Sequence, residues 1–328
     1  MEISESIFWM GNRLATNCVE ISKDPADLSK PGFWVVVNTF EGDWFCARFT
    51  DVQDAPLPIS PWAGIDGKWH SSQSQTSYEA NVHQIKELIA KGEIYQVNLC
   101  RVLSNDCDQS LLGLANLLQK SNPAPYASYL SLPGLEIASA SPELFLQRSG
   151  DQIKSTPIKG TALEDNFGEK DKAENVMIVD LMRNDFGAIC QPGSIDVPRL
   201  LASESHPGLF HLVSDITGVL KSNQSWQEIL TSLLPAGSIS GAPKSSAIKV
   251  ISQIEKSERG PYCGVIGWIE NNQALLSVGI RIFWSKQDGQ INFGTGAGIT
   301  WQSDPNSEWQ ETELKAKRLI SIADGVKV

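Results

Sequence analysis

The apolar and polar positions of the chain alternate with two different periods, which predicts both strands and helices. Apolar residues at 33–40 and 44–49 flank a Glu-Gly-Asp turn at 41–43, a pattern typical of a β-hairpin. A proline-rich and Ser/Gln-rich stretch at 51–75 separates this region from the next. We therefore expect a sheet-forming N-terminal segment at 1–74, packed on a larger domain at 75–328.

A helix and then a strand follow this break. Thr76 begins a capping-box pattern, and apolar residues recur on one helical face until Gly92. Residues 94–103 then alternate with period two, which places Gln96 and Asn98 on the same strand face. Two amides on one face indicate either a polar site or a solvated surface.

The remaining pattern mixes short strands with helices. The spacing predicts strands at 127–132, 135–140 and 152–156, a helix at 166–184, a meander at 264–270, 275–284 and 291–293, and a closing helix at 304–324 with Ser303 or Asp304 as its cap. Consecutive antiparallel strands with helices between them favour an α+β fold over a doubly wound βαβ fold.

Charge and composition exclude several classes of protein. The 27 basic and 38 acidic residues give a net charge of −11, the wrong sign for a nucleic-acid or anionic-membrane binder. No uncharged stretch approaches the ~20 residues of a bilayer span, and the N-terminus lacks a secretory signal pattern, so we expect a cytoplasmic protein. Six cysteines without a C-x-x-C pair predict reduced thiols and neither a zinc site nor a disulfide framework.

Two glycine-rich segments resemble nucleotide motifs without meeting their requirements. Residues 237–244 lack the Gly-Lys-Ser/Thr end of a P-loop, and Ile299 stands where the dinucleotide fingerprint of 294–299 needs glycine. Both segments offer backbone N–H groups that no side chain shields, which suits a bound carboxylate. Simple turns are the alternative.

Two predicted helices each carry a pair of carboxylates on one face. Asp171 and Glu174 form the first pair, and Glu308 and Glu311 form the second, with Lys315 one turn further on. Like charges placed in this way repel unless a cation lies between them, and Mg²⁺ binds through one or two carboxylates, waters and an anionic ligand. Acidic faces in contact with solvent are the alternative.

Lys159 lies between Pro157 and Gly160, in a segment where the backbone is constrained and a ligand can approach closely. A lysine in this setting is either a desolvated amine whose lowered pKa makes it nucleophilic, or a surface lysine in a turn.

Arg281 and His211 both lie in predicted strands. Arg281 shares a face with the small residues Ser277 and Gly279, so it is either a bidentate carboxylate receptor or an arginine on a sheet surface. His211 begins an alternating apolar strand, where a hydrogen-bonded core histidine is the default interpretation. No histidine pair has metal-ligand spacing, which argues against a zinc hydrolase.

Eight segments together resemble, in order and spacing, the chorismate-utilising enzymes, the family of anthranilate, aminodeoxychorismate and isochorismate synthases. They fall within residues 75–325 and are 92–99, 139–146, 157–161, 173–185, 211–214, 237–244, 259–264 and 308–312. The resemblance implies an α+β fold, with antiparallel sheets packed as a β-sandwich and helices outside. It also makes 75–328 the chorismate-binding catalytic domain.

The resemblance further implies an active site in which Mg²⁺ holds the ring carboxylate of chorismate. The implied metal ligands are Glu174 and Glu311 directly, and Asp171 and Glu308 through water. The implied substrate contacts are Tyr262 and Arg281 to the enolpyruvyl carboxylate, the amides around Gly296 and Gly298 with Lys315 to the ring carboxylate, and Lys244 along the wall of the site.

Two positions distinguish reactions within the family. Isochorismate and salicylate synthases carry a lysine base where Gln96 stands, and anthranilate synthases carry a small residue where Lys159 stands. The Pro-Ile-Lys-Gly-Thr form of 157–161 resembles the aminodeoxychorismate synthases. That resemblance implies amination of chorismate at C4 through a covalent Lys159 intermediate, for p-aminobenzoate and folate biosynthesis, with Glu143 as general acid and His211 orienting or protonating the leaving group.

The resemblance also implies a partner, a glutamine amidotransferase subunit that supplies ammonia, because no cysteine here lies in a Gly-x-Cys-x-Gly context. Two alternatives stay open: an anthranilate synthase component I, with ortho amination and release of pyruvate, and a non-catalytic chorismate-binding subunit. The sequence departs from many relatives at Thr156, where they carry arginine, and at Asp215 after His-Leu-Val-Ser.

Overall fold

The strands pair into one large antiparallel sheet in the computed structural model, which describes residues 2–162, 164–206 and 209–325. The strands of these ranges are β1 (Ile7–Met10), β2 (Arg13–Ser22), β3 (Phe33–Asn38), β4 (Trp44–Asp54), β5 (His70–Ser71), β6 (Gln96–Asp106), β7 (Tyr126–Leu132), β8 (Leu135–Ser141), β9 (Leu144–Ser149), β10 (Gln152–Thr156), β11 (Ile158–Ala162), β12 (Asp196–His206), β13 (Leu209–Val219), β14 (Gly241–Ala242), β15 (Val265–Glu270), β16 (Gln273–Val278), β17 (Ile282–Ser285) and β18 (Gln290–Ile299). The helices are α1 (Gln75–Ala90), α2 (Leu112–Ser121), α3 (Glu169–Ile189), α4 (Trp226–Leu233), α5 (Gly237–Ser240), α6 (Lys244–Ile254) and α7 (Pro305–Ala323). Within the described ranges, no helix combines the length and apolarity that a membrane crossing requires.

The strand pairing makes one curled sheet, so the predicted β-sandwich is wrong while the α+β class is confirmed. One half runs β6–β18–β17–β8–β7–β1, and the other runs β2–β4–β3–β15–β16–β9–β10–β13. The β1–β2 hairpin joins the halves, because β1 pairs with β7 on one edge and with β2 on the other. Alternating hydrophobicity predicts which face of a strand is buried but not which strands lie beside it.

Three apolar clusters pack the helices against this sheet. The largest joins β3 and β15 to α3 and α4, and every residue of β3 is buried. The second packs α2 and α7 against β7, β8, β17 and β18. The third places α1 and α6 against β6 and β18. Trp309 of α7 packs against the same cluster, so α7 lies beside these two strands.

Most predicted elements are confirmed, and one helix cap is wrong. The hairpin of β3 and β4 forms as expected, and α7 begins after Asp304, whose side chain accepts a hydrogen bond from the Ser307 amide. Helix α1 is capped by Ser74, which accepts from the backbone amide of Ser77, and not by Thr76. Several residues of this Ser/Thr-rich stretch are able to cap, and the fold selects the one at the point where the chain turns into the helix.

The single strand predicted at 275–284 is also wrong, because the chain forms β16 and β17 with a break between them. A Cβ on Gly279 would lie 2.2 Å from the carbonyl oxygen of Pro261, and Arg281 has a positive φ of 52°. Strand β16 pairs with β9 and β15, whereas β17 pairs with β8 and β18. The break therefore carries the chain from one half of the sheet to the other and places Arg281 at the crossing.

The N-terminal segment shares the sheet with the rest of the chain. Strand β1 pairs with β7, and β3 pairs with β15. The division of the chain at residue 74 stays a prediction.

Candidate active site

A row of glycines on one face of β18 makes room for the side chains of the candidate site. Strand β18 pairs with β6, so that Gly296 lies opposite Cys100 and Gly298 lies opposite Asn98. A Cβ on Gly294, Gly296 or Gly298 would lie 2.0 Å from the Tyr262 ring, 2.7 Å from Cys100 Sγ and 2.5 Å from Gln96 Nε2, respectively. We call Gly294, Gly296 and Gly298 the glycine row. Only glycine leaves enough space for these neighbours.

The polar face of β6 turns inward onto this row. Gln96 and Asn98 are both buried, so the solvated-surface alternative is wrong. The side-chain nitrogen of Gln96 donates to Glu174 Oε2 at 3.2 Å, whereas its carbonyl oxygen Oε1 is buried without a hydrogen-bond partner among the described residues. An unpaired buried acceptor is costly, and a ligand that donates a hydrogen bond would satisfy it.

Lys159 lies on strand β11 and not in a surface turn. Strand β11 pairs with β13 with a shift of register between Ile158 and Thr161, and Gly160 has a φ of 98° within this irregularity. The lysine amine lies 3.6 Å from the position that a Cβ on Gly298 would take. The surface-lysine alternative is therefore wrong, and β11 carries Lys159 to the glycine row.

Burial lowers the pKa of Lys159, because the charged amine loses its hydration. The negative charge of Glu174 opposes this shift, the positive charge of Lys315 adds to it, and Glu143 and Glu311 oppose it more weakly. Lys159 forms no salt bridge with any described residue. Its amine is thus surrounded by carboxylates without being tied to one of them.

Glu143 lies in the connection between β8 and β9 and is 3% exposed. Burial raises its pKa to about 7, against the opposing effects of a hydrogen bond from Ser238 and the charge of Lys159. The Ser238 hydroxyl donates to Glu143 Oε1 at 2.6 Å. A carboxyl group with this pKa is able to hold a proton near neutrality and release it to a leaving group.

His211 links strand β11 to the crossing that carries Arg281. Its Nδ1 lies 3.0 Å from Thr161 Oγ1, and its Nε2 lies 2.9 Å from a guanidinium nitrogen of Arg281. A guanidinium group only donates, so Nε2 accepts and the ring proton is on Nδ1, facing Thr161. Burial and the charge of Arg318 lower the pKa of Arg281 to about 10, which leaves it charged at neutral pH.

One carboxylate from each acidic pair, on α3 and on α7, contacts the same cation. The ammonium of Lys170 lies 3.8 Å from Glu174 Oε1 and 3.5 Å from Glu308 Oε1. The side chains of Glu174 and Glu308 are only 17% and 5% exposed, so a solvated acidic face is wrong for these two residues. Burial raises the pKa of both carboxyl groups.

The other member of each pair is partly engaged elsewhere. Glu311 binds Lys315 at 2.7 Å, and Lys315 also donates to the carbonyl of Gly296 at 3.0 Å. Burial raises the pKa of Glu311, but the charge and hydrogen bond of Lys315 outweigh it, so the net shift is downward. Asp171 accepts from the backbone amide of Gly168 and thereby caps its own helix.

A divalent metal fits the charge and chemistry of this region. Glu308 Oε2 is buried without a hydrogen-bond partner among the described residues, and the Lys170 charge acts on Glu174, Glu308 and Glu311 together. Oxygen ligands around one cationic position suit Mg²⁺. In the described ranges, no three carboxylate, histidine or cysteine side chains converge closely enough to hold an ion without rearrangement.

Tyr262 packs against Gly294 of the glycine row, whereas the contacts of the Lys244 ammonium are with Asp185 and Leu233. The Tyr262 hydroxyl lies 3.8 Å from Cys100 Sγ. The Lys244 ammonium is bound to Asp185 Oδ2 at 2.6 Å and to the carbonyl of Leu233 at 3.2 Å.

Three residues of the candidate site were missed by sequence reasoning: Ser238, Thr161 and Lys170. Ser238 and Thr161 lie inside segments that carry the family resemblance, but the side chains they would contact are far away in sequence. Lys170 had a local signal, since it lies four residues before Glu174 on the same helical face.

The two departures from the family pattern contact each other. The Thr156 hydroxyl donates to Asp215 Oδ1 at 2.8 Å. Asp215 is also bound by Arg199 at 3.0 and 3.1 Å and by Lys154 at 3.0 Å. Cations from β10 and β12 thus bind the Asp215 carboxylate, which also accepts the hydrogen bond of Thr156.

Comparison with known proteins identifies the family of the chain. The family model of the chorismate binding enzymes matches residues 40–321, and the chain therefore belongs to this family.

Its curated relatives include enzymes of two kinds. Anthranilate synthase component 1 of Saccharolobus solfataricus is 36% identical over 79% of this chain and 64% of its own length. Aminodeoxychorismate synthase component 1 of Salmonella typhimurium is 35% identical over 84% of this chain and 63% of its own length. The chain thus spans less than two thirds of each relative.

The same fold occurs in a putative 2,3-dihydroxybenzoate-specific isochorismate synthase, DhbC, from Bacillus anthracis. The two structures superpose with a TM-score of 0.83 over 99% of this chain and 97% of the other, at 21% identity.

Proposed function

We propose that the chain aminates chorismate at C4 to give 4-amino-4-deoxychorismate, as an aminodeoxychorismate synthase component I. One observation carries the proposal: the Lys159 amine lies at the glycine row, with a lowered pKa and without a salt bridge among the described residues, near a carboxyl group whose pKa is about 7. Environments that push the pKa values of an amine and an acid in these directions are typical of catalytic pairs.

Lys159 supplies the nucleophile in this reaction. Its free amine forms a bond to C2 of chorismate as the C4–oxygen bond breaks, and Glu143 gives its proton to the departing hydroxyl, which leaves as water. Ammonia then forms a bond to C4 as the bond between C2 and Lys159 breaks. The covalent intermediate divides one difficult substitution into two allylic displacements.

The other residues bind and orient the substrate. Arg281, held by His211, pairs with the enolpyruvyl carboxylate together with Tyr262, and the amides of the glycine row with Lys315 meet the ring carboxylate. The implied Mg²⁺ would be held by Glu174 and Glu311 directly and by Asp171 and Glu308 through water, and it would neutralise the ring carboxylate. These fixed charges reverse the field that an acidic protein presents to a doubly anionic substrate.

Ammonia would come from a glutamine amidotransferase partner, in keeping with the family. A second candidate function is amination at C2 with release of pyruvate, because one of the similar proteins is an anthranilate synthase component 1. The lysine at position 159 favours C4, because its own amine would take the place of ammonia as the nucleophile at C2.

The test uses purified protein with chorismate, Mg²⁺ and ammonium chloride, followed by identification of the product. Without ammonium, the wild-type protein should gain the mass of chorismate minus water, and Lys159→Ala should not. Lys172→Ala is the matched control, since Lys172 is an exposed lysine paired with Glu169 on α3. Formation of anthranilate and pyruvate, an adduct that persists in Lys159→Ala, or binding without turnover would each overturn the proposal.

A further inference from the structure

Two cysteines lie together at the glycine row. The sulfur atoms of Cys100 and Cys263 are 4.0 Å apart, and both residues are at most 2% exposed. Cys100 Sγ fills the space that a side chain on Gly296 would take. The same sulfur lies 3.8 Å from the hydroxyl of Tyr262, the chain neighbour of Cys263.

A buried cation lies beside this pair. Arg259 is 1% exposed, and both of its salt-bridge contacts with Glu255 are 2.7 Å. Burial raises the pKa of Cys263, but the hydrogen bond with Cys100 and the charge of Arg259 outweigh it and hold the pKa below its ordinary value. Asn98 Nδ2 also donates to Cys100 Sγ at 3.1 Å. A thiol beside a fixed cation reacts more readily, since the thiolate is the nucleophile.

We propose that Cys100 and Cys263 form a redox-active dithiol that a peroxide oxidises to a disulfide, and that this disulfide weakens substrate binding at Tyr262. The Cys263 thiolate attacks the peroxide and breaks its O–O bond, giving a sulfenic acid and hydroxide, which takes up the proton released by the thiol and becomes water. The Cys100 thiol then attacks that sulfur and displaces a second water. The two thiols lose two electrons and two protons, and the peroxide is reduced to two waters.

Tyr262 couples the dithiol to the site. A disulfide bond of about 2.05 Å needs the two sulfurs to approach by about 2 Å from their present separation. Cys263 adjoins Tyr262 in the chain and has a positive φ of 65°, and Cys100 Sγ contacts the Tyr262 hydroxyl. Bringing the two sulfur atoms together therefore moves Tyr262 at its backbone and at its hydroxyl. This effect on substrate binding rests on the proposed function, whereas formation of the disulfide does not.

The test treats the purified protein with hydrogen peroxide, alkylates the remaining thiols under denaturing conditions and maps the peptides without reduction. We expect a linked peptide pair containing Cys100 and Cys263, reversed by dithiothreitol. We also expect the KM for chorismate to rise about tenfold and to recover on reduction, the effect of losing one hydrogen bond to a charged group. Cys107→Ser is the matched control, because Cys107 is partly exposed and lies outside the site, and it should oxidise like the wild type.

Cys263→Ser should lose both the linked peptide and the peroxide effect on KM. The peptide map of the wild type decides the question if that variant does not fold. Free alkylated Cys100 and Cys263 after peroxide treatment would overturn the dithiol, and a linked pair with unchanged KM would overturn its coupling to Tyr262. A reduced protein without turnover would instead count against the proposed function and leave the peptide map informative.

Discussion

Two lysines near helix α3 lie in contrasting regions of the molecule. Lys244 lies where α6 meets α3, and its ammonium is bound by Asp185 at 2.6 Å, with both side chains largely buried. Lys159 lies at the glycine row among several carboxylates, and it forms no salt bridge in the described part of the chain. Burial removes hydration from both amines, which is unfavourable for their charged forms. Only Lys244 has a salt-bridge partner among the described residues that offsets this loss. The contrast supports the proposed chemical role of Lys159, and it leads us to expect that Lys244 acts on stability.

The largest expected effect comes from Lys159→Met. Turnover of chorismate with ammonium should fall by about 10³-fold or more, because the proposed nucleophile is lost. The melting temperature should stay the same or rise, since a desolvated amine is replaced by an apolar side chain. Turnover and melting temperature are measured on the same preparation to check both expectations, with Lys172→Met as control. A large fall in melting temperature would show that Lys159 is structural.

Lys244→Met should act mainly on stability. The substitution leaves Asp185 buried and unpaired, and breaking such a pair costs about 3–5 kcal/mol of unfolding free energy. Urea denaturation measures this loss, and the double variant Lys244→Met/Asp185→Leu should recover most of it. An unchanged midpoint in the single variant would remove the contrast between the two lysines.

Ser238→Ala should change the pH profile of the reaction. In the proposed mechanism turnover requires protonated Glu143, so kcat should fall as the pH rises through about 7. The hydrogen bond from Ser238 favours the carboxylate and lowers the pKa of Glu143, so its removal should move this falling limb to higher pH. Measuring kcat against pH for both proteins checks the direction. A limb that moves to lower pH would contradict the assignment of Glu143 as the acid.

Lys170→Met should have the smallest effect on stability, under about 1 kcal/mol, because Lys170 is 41% exposed and its ion pairs are long. If its ammonium takes the position of a metal ion, the variant should bind Mg²⁺ more tightly than the wild type. Calorimetric titration with MgCl₂ measures this difference without any turnover. Weaker binding in the variant would mean that Lys170 supports the metal site.

Much of the local structure could be predicted from the sequence. The β3–β4 hairpin, the cap of α7 at Asp304 and the shared face of Gln96 and Asn98 all follow from short-range periodicity and turn residues. The strand break before Arg281 could not, because Gly279 is required there by a carbonyl group of Pro261, a residue distant in the sequence.

The candidate site was predicted less completely than the fold. The family resemblance pointed to Lys159, Glu143 and His211, but the hydrogen bond of Ser238 to Glu143 joins residues 95 positions apart. Arg281 and His211 are 70 positions apart, so no local sequence pattern predicts the hydrogen bond between them. Such contacts arise only after α5 meets the β8–β9 connection and β13 meets the β16–β17 crossing.

The sequence by itself determined the element types, the α+β class and the family, because periodicity, capping residues and collinear motifs are local properties of the chain. Only the tertiary structure decided that one curled sheet forms in place of a sandwich, and that Lys159 lacks a salt bridge among the described residues while Lys244 has one. The physical reason is that strand neighbours, burial and the field at an amine depend on groups far apart in sequence. These quantities exist only once the chain has folded.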